Sequence, residues 1–199
     1  PRRVRTPTVL QMEAVECGAA SLAIVLGYYG RTVALEEVRV ACGVSRDGSK
    51  AVNILRAARA YGLEAKGYRW EVETLRQATL PVIVFWNFYH FLVVEGFGRD
   101  RVYLNDPAEG PRVLTNDEFD AGFTGIALSM TPGPNFERGG RRASLAAALR
   151  ERVRGSGAAV ALVALAGLAL VIPGLLLPAF ARLFVDKVLV ANMDSWFKP

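Results

Sequence analysis

The chain has 199 residues, a net charge of +5, 52% hydrophobic residues, two cysteines and one histidine. That length holds one domain or two small ones, and the hydrophobic share is high for a wholly soluble protein. A nucleic-acid binder is disfavoured, because Arg138, Arg141, Arg142, Arg150, Arg152 and Arg154 crowd one stretch with few interleaved aromatics.

"PRRVRTPTV" reads as a basic, proline-punctuated arm. Small and apolar residues from Cys17 to Tyr29 suit a buried helix, with Gly30 as its cap. "ALEEVRVACG" and "KAVNILRAARAYG" repeat apolar residues at three- and four-residue spacings and end in glycine, so both read as amphipathic helices. Between them, "GVSRDGSK" places Gly43 and Gly48 at phosphate-loop spacing. Ser49 stands where a lysine is required and no strand precedes it, which makes this a loop.

After Leu63 the texture changes. "LEAKGYRW", "PVIVFW", "HFLVVEGF", "RVYLND" and "GIALSMT" are short branched or aromatic runs separated by Gly, Pro and Asp, and they predict strands. Helices followed by antiparallel strands predict an α+β domain with the helices on one side of the sheet.

"PGPNFERGGRR" has the composition of a linker, and Gly139-Gly140 within it reads as a flexible joint. "SLAAALRERVR" predicts a short amphipathic elbow helix capped by Ser144. From Gly155 to Ala181 no residue is charged, a run longer than the ~20 residues a membrane span requires. Pro173 and Pro178 inside it suit a bundle whose neighbouring helices satisfy freed carbonyls. The arginines lie before the run, while Arg182 and Lys187 after it are offset by Asp186 and Asp194. The positive-inside rule therefore predicts a cytoplasmic N-terminal domain. In that compartment Cys17 and Cys42 are expected as free thiols. A chain that starts at Pro1 and stops soon after the span reads as a fragment of a longer protein.

Four residues carry chemistry as a set. His90 opens one predicted strand, Gly98-Arg99-Asp100 forms the turn, and the returning strand ends at Asp106. Antiparallel pairing brings the two side chains opposite or diagonal, roughly 5–8 Å apart at Cβ. A carboxylate there would hold the imidazole in one tautomer. Cys17 starts a helix, where a thiolate nucleophile is favoured, and Gly18, Ala19 and Ala20 would let a substrate backbone approach. Gln11 offers an amide donor beside the Cys17 N–H, the pair an oxyanion requires. Singly, each residue has an ordinary structural explanation: a buried thiol, a surface amide, a core histidine, a turn-starting aspartate. Gln, then Cys, then a distant His and Asp is the order of a cysteine peptidase.

"QMEAVECGAASLAIVLGYYG", with "HFLVVEGF" and "NDP" downstream, resembles the double-glycine leader peptidase domain of bacteriocin-type ABC exporters. "LFVDKVLVANMDSW" is similar to the segment after the first membrane helix of such exporters. The resemblance implies a papain-like cysteine peptidase at 1–134, a linker and basic amphipathic elbow at 135–154, and, at 155–199, the first transmembrane helix with the start of the segment that follows it. It implies Cys17 as nucleophile, His90 as general base and then acid, Asp106 as its orienter and Gln11 as oxyanion donor. The substrate would be a peptide precursor with a Gly-Gly-type leader. The setting would be the bacterial inner membrane, multi-pass in the full protein, with no nucleic-acid partner and with a homodimer driven by ATP bound outside these residues. No metal or other cofactor is implied for the peptidase.

Two further readings share these residues. One is a leader-binding module that tethers the precursor without cutting it. The other is a papain-like acyl transferase of the transglutaminase kind, which has no use for the basic elbow and the span.

Overall fold

The computed structural model describes residues 3–46, 48–140 and 157–190. The chain divides into two compact units, Pro1–Arg142 and Ala143–Pro199. The predicted elbow helix falls outside the described residues.

In the first unit, a single 3-10 turn (Ala14–Glu16) leads into helix α1 (Cys17–Tyr28), followed by α2 (Leu35–Ala41) and α3 (Ala51–Ala60). The strands are β1 (Leu63–Arg69), β2 (Val82–Trp86), β3 (His90–Phe97), β4 (Arg101–Asp106), β5 (Gly110–Thr115) and β6 (Phe123–Pro132). Two short helices interrupt them, α4 (Val72–Gln77) and α5 (Asn116–Gly122). One antiparallel sheet results, in the order β1-β6-β2-β3-β4-β5.

Every residue of α1 from Cys17 to Leu26 is buried, because the helix is apolar all round. Full burial of Leu22, Ile24 or Leu26 contributes about 1.5–3 kcal/mol each. The helix ends where glycine permits it: Gly30 has φ +93°, its N–H donates to the Gly27 carbonyl and the Arg31 N–H to the Leu26 carbonyl. That pair of bonds is a Schellman cap.

The sheet is covered on both faces, which corrects the one-sided expectation. α1, α2 and α3 pack with Leu63, Ala65, Ile83, Phe91, Val93, Leu128 and Met130. Leu75 of α4 and Phe119 of α5 close the other face over Val82, Val84, Leu92, Val94, Val102 and Leu104. The cause is written in β3, all of whose residues are buried. A strand buried along its whole length cannot leave one face to water.

Residues 133–140 also depart from the linker reading. Phe136 packs into the helical core and edge-on against Tyr29. The Thr32 N–H donates to the Gly139 carbonyl, and the Gly139 N–H donates to the Gly30 carbonyl. A Cβ at Gly140 would run into the Thr32 carbonyl. The glycines are where the chain crosses the capped end of α1.

In the second unit, helix α6 (Gly157–Phe184) contains Pro173 and Pro178 and continues into π-helical turns at Val185–Val190. It is long and apolar enough to cross a membrane. At 1.5 Å per residue it exceeds the ~30 Å hydrocarbon core.

Candidate active site

Cys17 is the first residue of α1 and is 4% exposed. His90 is the first residue of β3 and Asp106 the last of β4. The hairpin turn falls at 98–100, where the Gly98 N–H donates to the Arg101 carbonyl. Val93 pairs with Asn105 and Val94 with Leu104, with a bulge between Val94 and Gly96. Extending that register puts His90 diagonal to Asp106. Their side chains meet: His90 Nε2–H donates to Asp106 Oδ1 at 2.7 Å. The other ring nitrogen, Nδ1, is left for Cys17, whose side chain lies near enough to raise the His90 pKa.

Burial alone works against a charged His90, but the hydrogen bonds to Asp106 and Cys17, together with their charges, outweigh it. The His90 pKa is raised to about 9. At Asp106, burial opposes ionisation and is outweighed by the His90 hydrogen bond, the Ala108 N–H, the His90 charge and the Arg112 hydrogen bond. Its carboxyl is held below the usual range. The other cysteine is of a different kind: Cys42 is fully buried, and burial pushes its thiol up to about 12.

Asp106 has two more partners. Its Oδ1 accepts from the Ala108 N–H at 2.8 Å, the turn that the following proline begins. Its Oδ2 accepts from Arg112 Nη1 at 3.1 Å. Arg112 lies on β5, a strand that sequence patterning did not predict. "GPRVLT" has only two large apolar residues and a proline, as an edge strand tolerates.

Gln11 is held through its backbone. Its N–H donates to the Pro107 carbonyl at 2.8 Å, one residue beyond Asp106. Upstream, Thr6 N and Oγ1 both donate to Glu95 Oε1 at 2.8 Å, and Asn105 Nδ2 donates to Thr6 Oγ1 at 2.8 Å. The N-terminal arm is thus strapped to the β3–β4 hairpin that carries His90 and Asp106. The Gln11 side-chain Oε1 is buried without a hydrogen-bond partner. Rotating the amide by a half-turn puts its NH2 there with no change of shape.

The structure does not give Gly18 the role expected of it. A Cβ at Gly18 would lie 2.7 Å from both Ser49 Cβ and Ile54 Cδ1, and Ala19 and Ala20 are fully buried. These small residues let the start of α1 pack against α3 and the loop before it. Among the described residues no three His, Cys, Asp or Glu side chains are grouped to hold a metal ion.

A cysteine at a helix start, a histidine across from it and a carboxylate behind the histidine form the working set of a papain-like cysteine peptidase. Residues 5–135 match the peptidase C39 family, and the chain belongs to that family. It is 35% identical over 133 residues to the colicin V secretion/processing ATP-binding protein CvaB of Escherichia coli, covering 67% of this chain and 19% of that protein. It is 29% identical over 135 residues to the transport/processing ATP-binding protein ComA of Streptococcus pneumoniae, covering 64% and 19%. The chain thus spans about a fifth of the length of these curated relatives. Among solved structures, a double glycine motif protease from an AMS/PCAT transporter, in complex with its leader peptide, is 58% identical with a TM-score of 0.64. That match covers 65% of this chain and 94% of the other. The peptidase domain of Streptococcus ComA is 26% identical with a TM-score of 0.60, covering 62% and 96%.

Proposed function

We propose that this chain removes the leader from a ribosomally made peptide precursor by cutting after a Gly-Gly-type site. The observation that carries the proposal is the His90–Asp106 hydrogen bond, with Cys17 at the start of α1 acting on the same imidazole. With the His90 pKa at about 9, the ring is protonated at neutral pH. In this reading His90 receives the Cys17 proton, which leaves a thiolate to attack. The thiolate attacks the carbonyl of the second small residue, and Gln11 with the Cys17 N–H receives the oxyanion. His90 then protonates the departing amine, the new N-terminus of the cargo. Water, with His90 now acting as base, releases the leader from the thioester.

The attached transporter would place this domain in the cytoplasm, with α6 as the first of several inner-membrane helices. Homodimerisation and ATP-driven export would belong to the rest of that protein. The E. coli and Streptococcus relatives, named for secretion or transport together with processing, support this setting.

Alkylation separates cutting from tethering. Iodoacetamide at neutral pH is expected to modify Cys17 and spare Cys42, and peptide mapping by mass reads both. Equal, slow labelling of the two thiols would favour the tethering module.

A further inference from the structure

Glu16 stands directly before Cys17, yet its side chain is buried, with the residue 3% exposed. A buried carboxylate is costly unless its oxygens are occupied. Here they are. Oε2 accepts from the backbone N–H of Met12 at 2.9 Å and of Glu13 at 3.1 Å. Oε1 faces Arg39 Nη1 of α2 at 3.1 Å, and the same guanidinium lies 3.6 Å from Glu13 Oε2. The Glu16 N–H in turn donates to the Glu13 carbonyl at 3.1 Å. The segment from Met12 to Cys17 is closed into a turn by one side chain.

Gln11 stands at the end of that turn. Its own amide oxygen has no partner, so no hydrogen bond to that oxygen fixes where the amide points. The backbone does, through Pro107 on one side and the Glu16-closed turn on the other. Resting on the peptidase reading above, we propose that Glu16 is a positioning residue for the oxyanion site, holding Gln11 beside the Cys17 N–H, with Arg39 as its counter-ion. Removing an oxyanion donor costs about 10²–10³ in kcat, and misplacing one acts the same way.

The test uses this chain and a synthetic leader–Gly-Gly–cargo peptide, with kcat, KM and the rate of Cys17 alkylation measured for each variant. Glu16→Ala is expected to lower kcat by about 10²-fold, as Gln11→Ala does, with KM and alkylation within about threefold of wild type. The Gln11→Ala/Glu16→Ala double variant should fall no more than about threefold below either single one, because both act on one oxyanion. Glu16→Gln keeps an acceptor for the two amides and should lie between. Arg39→Ala, at a half-exposed position, should lower kcat about five- to tenfold at unchanged KM, and serves if Glu16→Ala does not fold. Multiplicative losses in the double variant, or Arg39→Ala and Glu16→Gln both cleaving like wild type, would overturn the proposal. So would an equal loss of alkylation, since Glu16 would then act on the thiol itself. A wild-type chain that fails to cleave overturns the peptidase reading instead, and this proposal with it.

Discussion

Arg112 Nη1 lies 3.1 Å from Asp106 Oδ2, the carboxylate oxygen that His90 does not use. The carboxylate is thereby held from both ends, by the imidazole on Oδ1 and the guanidinium on Oδ2. A charge-assisted bond of this kind contributes about 1.5–3 kcal/mol when buried. Arg112 is about one-third exposed, so solvent screens part of that. Arg112→Ala is expected to lower kcat/KM about three- to tenfold, with Arg112→Lys recovering part of it. Steady-state kinetics on the leader peptide checks the pair; full activity in Arg112→Ala would make the contact incidental.

In the proposed reaction the raised His90 pKa is expected to set the alkaline limit of activity. In the proposed mechanism the imidazolium protonates the leaving amine, so activity is expected to be retained below about pH 9 and lost as the pH rises through that value. Asp106→Asn removes the partner whose hydrogen bond and charge raise the pKa. The alkaline limb of kcat/KM should then move down from about 9 toward the ordinary histidine value of about 6.5. A limb that stays in place would detach His90 from Asp106.

Gly18→Ala distinguishes packing from substrate access. The added methyl meets Ser49 and Ile54, both at 2.7 Å. Overpacking of this kind costs about 1–3 kcal/mol. Denaturant unfolding should show that loss. A variant with wild-type stability and a raised KM would instead restore the idea that Gly18 makes room for substrate.

Much of this site was legible because its signals are local. "HFLVVEGF" and "RVYLND" coincide with β3 and β4, and the three-residue turn between them is enough to bring His90 near Asp106. The bulge at Glu95, which no alternation pattern announces, shifts the register by one residue and so sets His90 diagonal to Asp106 on one face of the sheet. α5 was missed although Thr115 and Glu118 form a capping box, because seven residues are too few for a helical period to stand out. Missing α5 hid the second covered face of the sheet. Missing β5 hid Arg112. Glu16 was passed over because a carboxylate beside a cysteine is usually solvated; only the folded turn shows its two amide donors and Arg39.

Peptide cleavage by Cys17 can be read directly from the products it leaves. Wild type and Cys17→Ala are incubated with the same leader–Gly-Gly–cargo peptide and the products identified by mass. Two fragments divided after the second glycine are expected with wild type and are expected to be absent with Cys17→Ala. Tight binding of the intact peptide by both proteins, with no cut in either, would contradict cleavage by Cys17 and leave a tethering module.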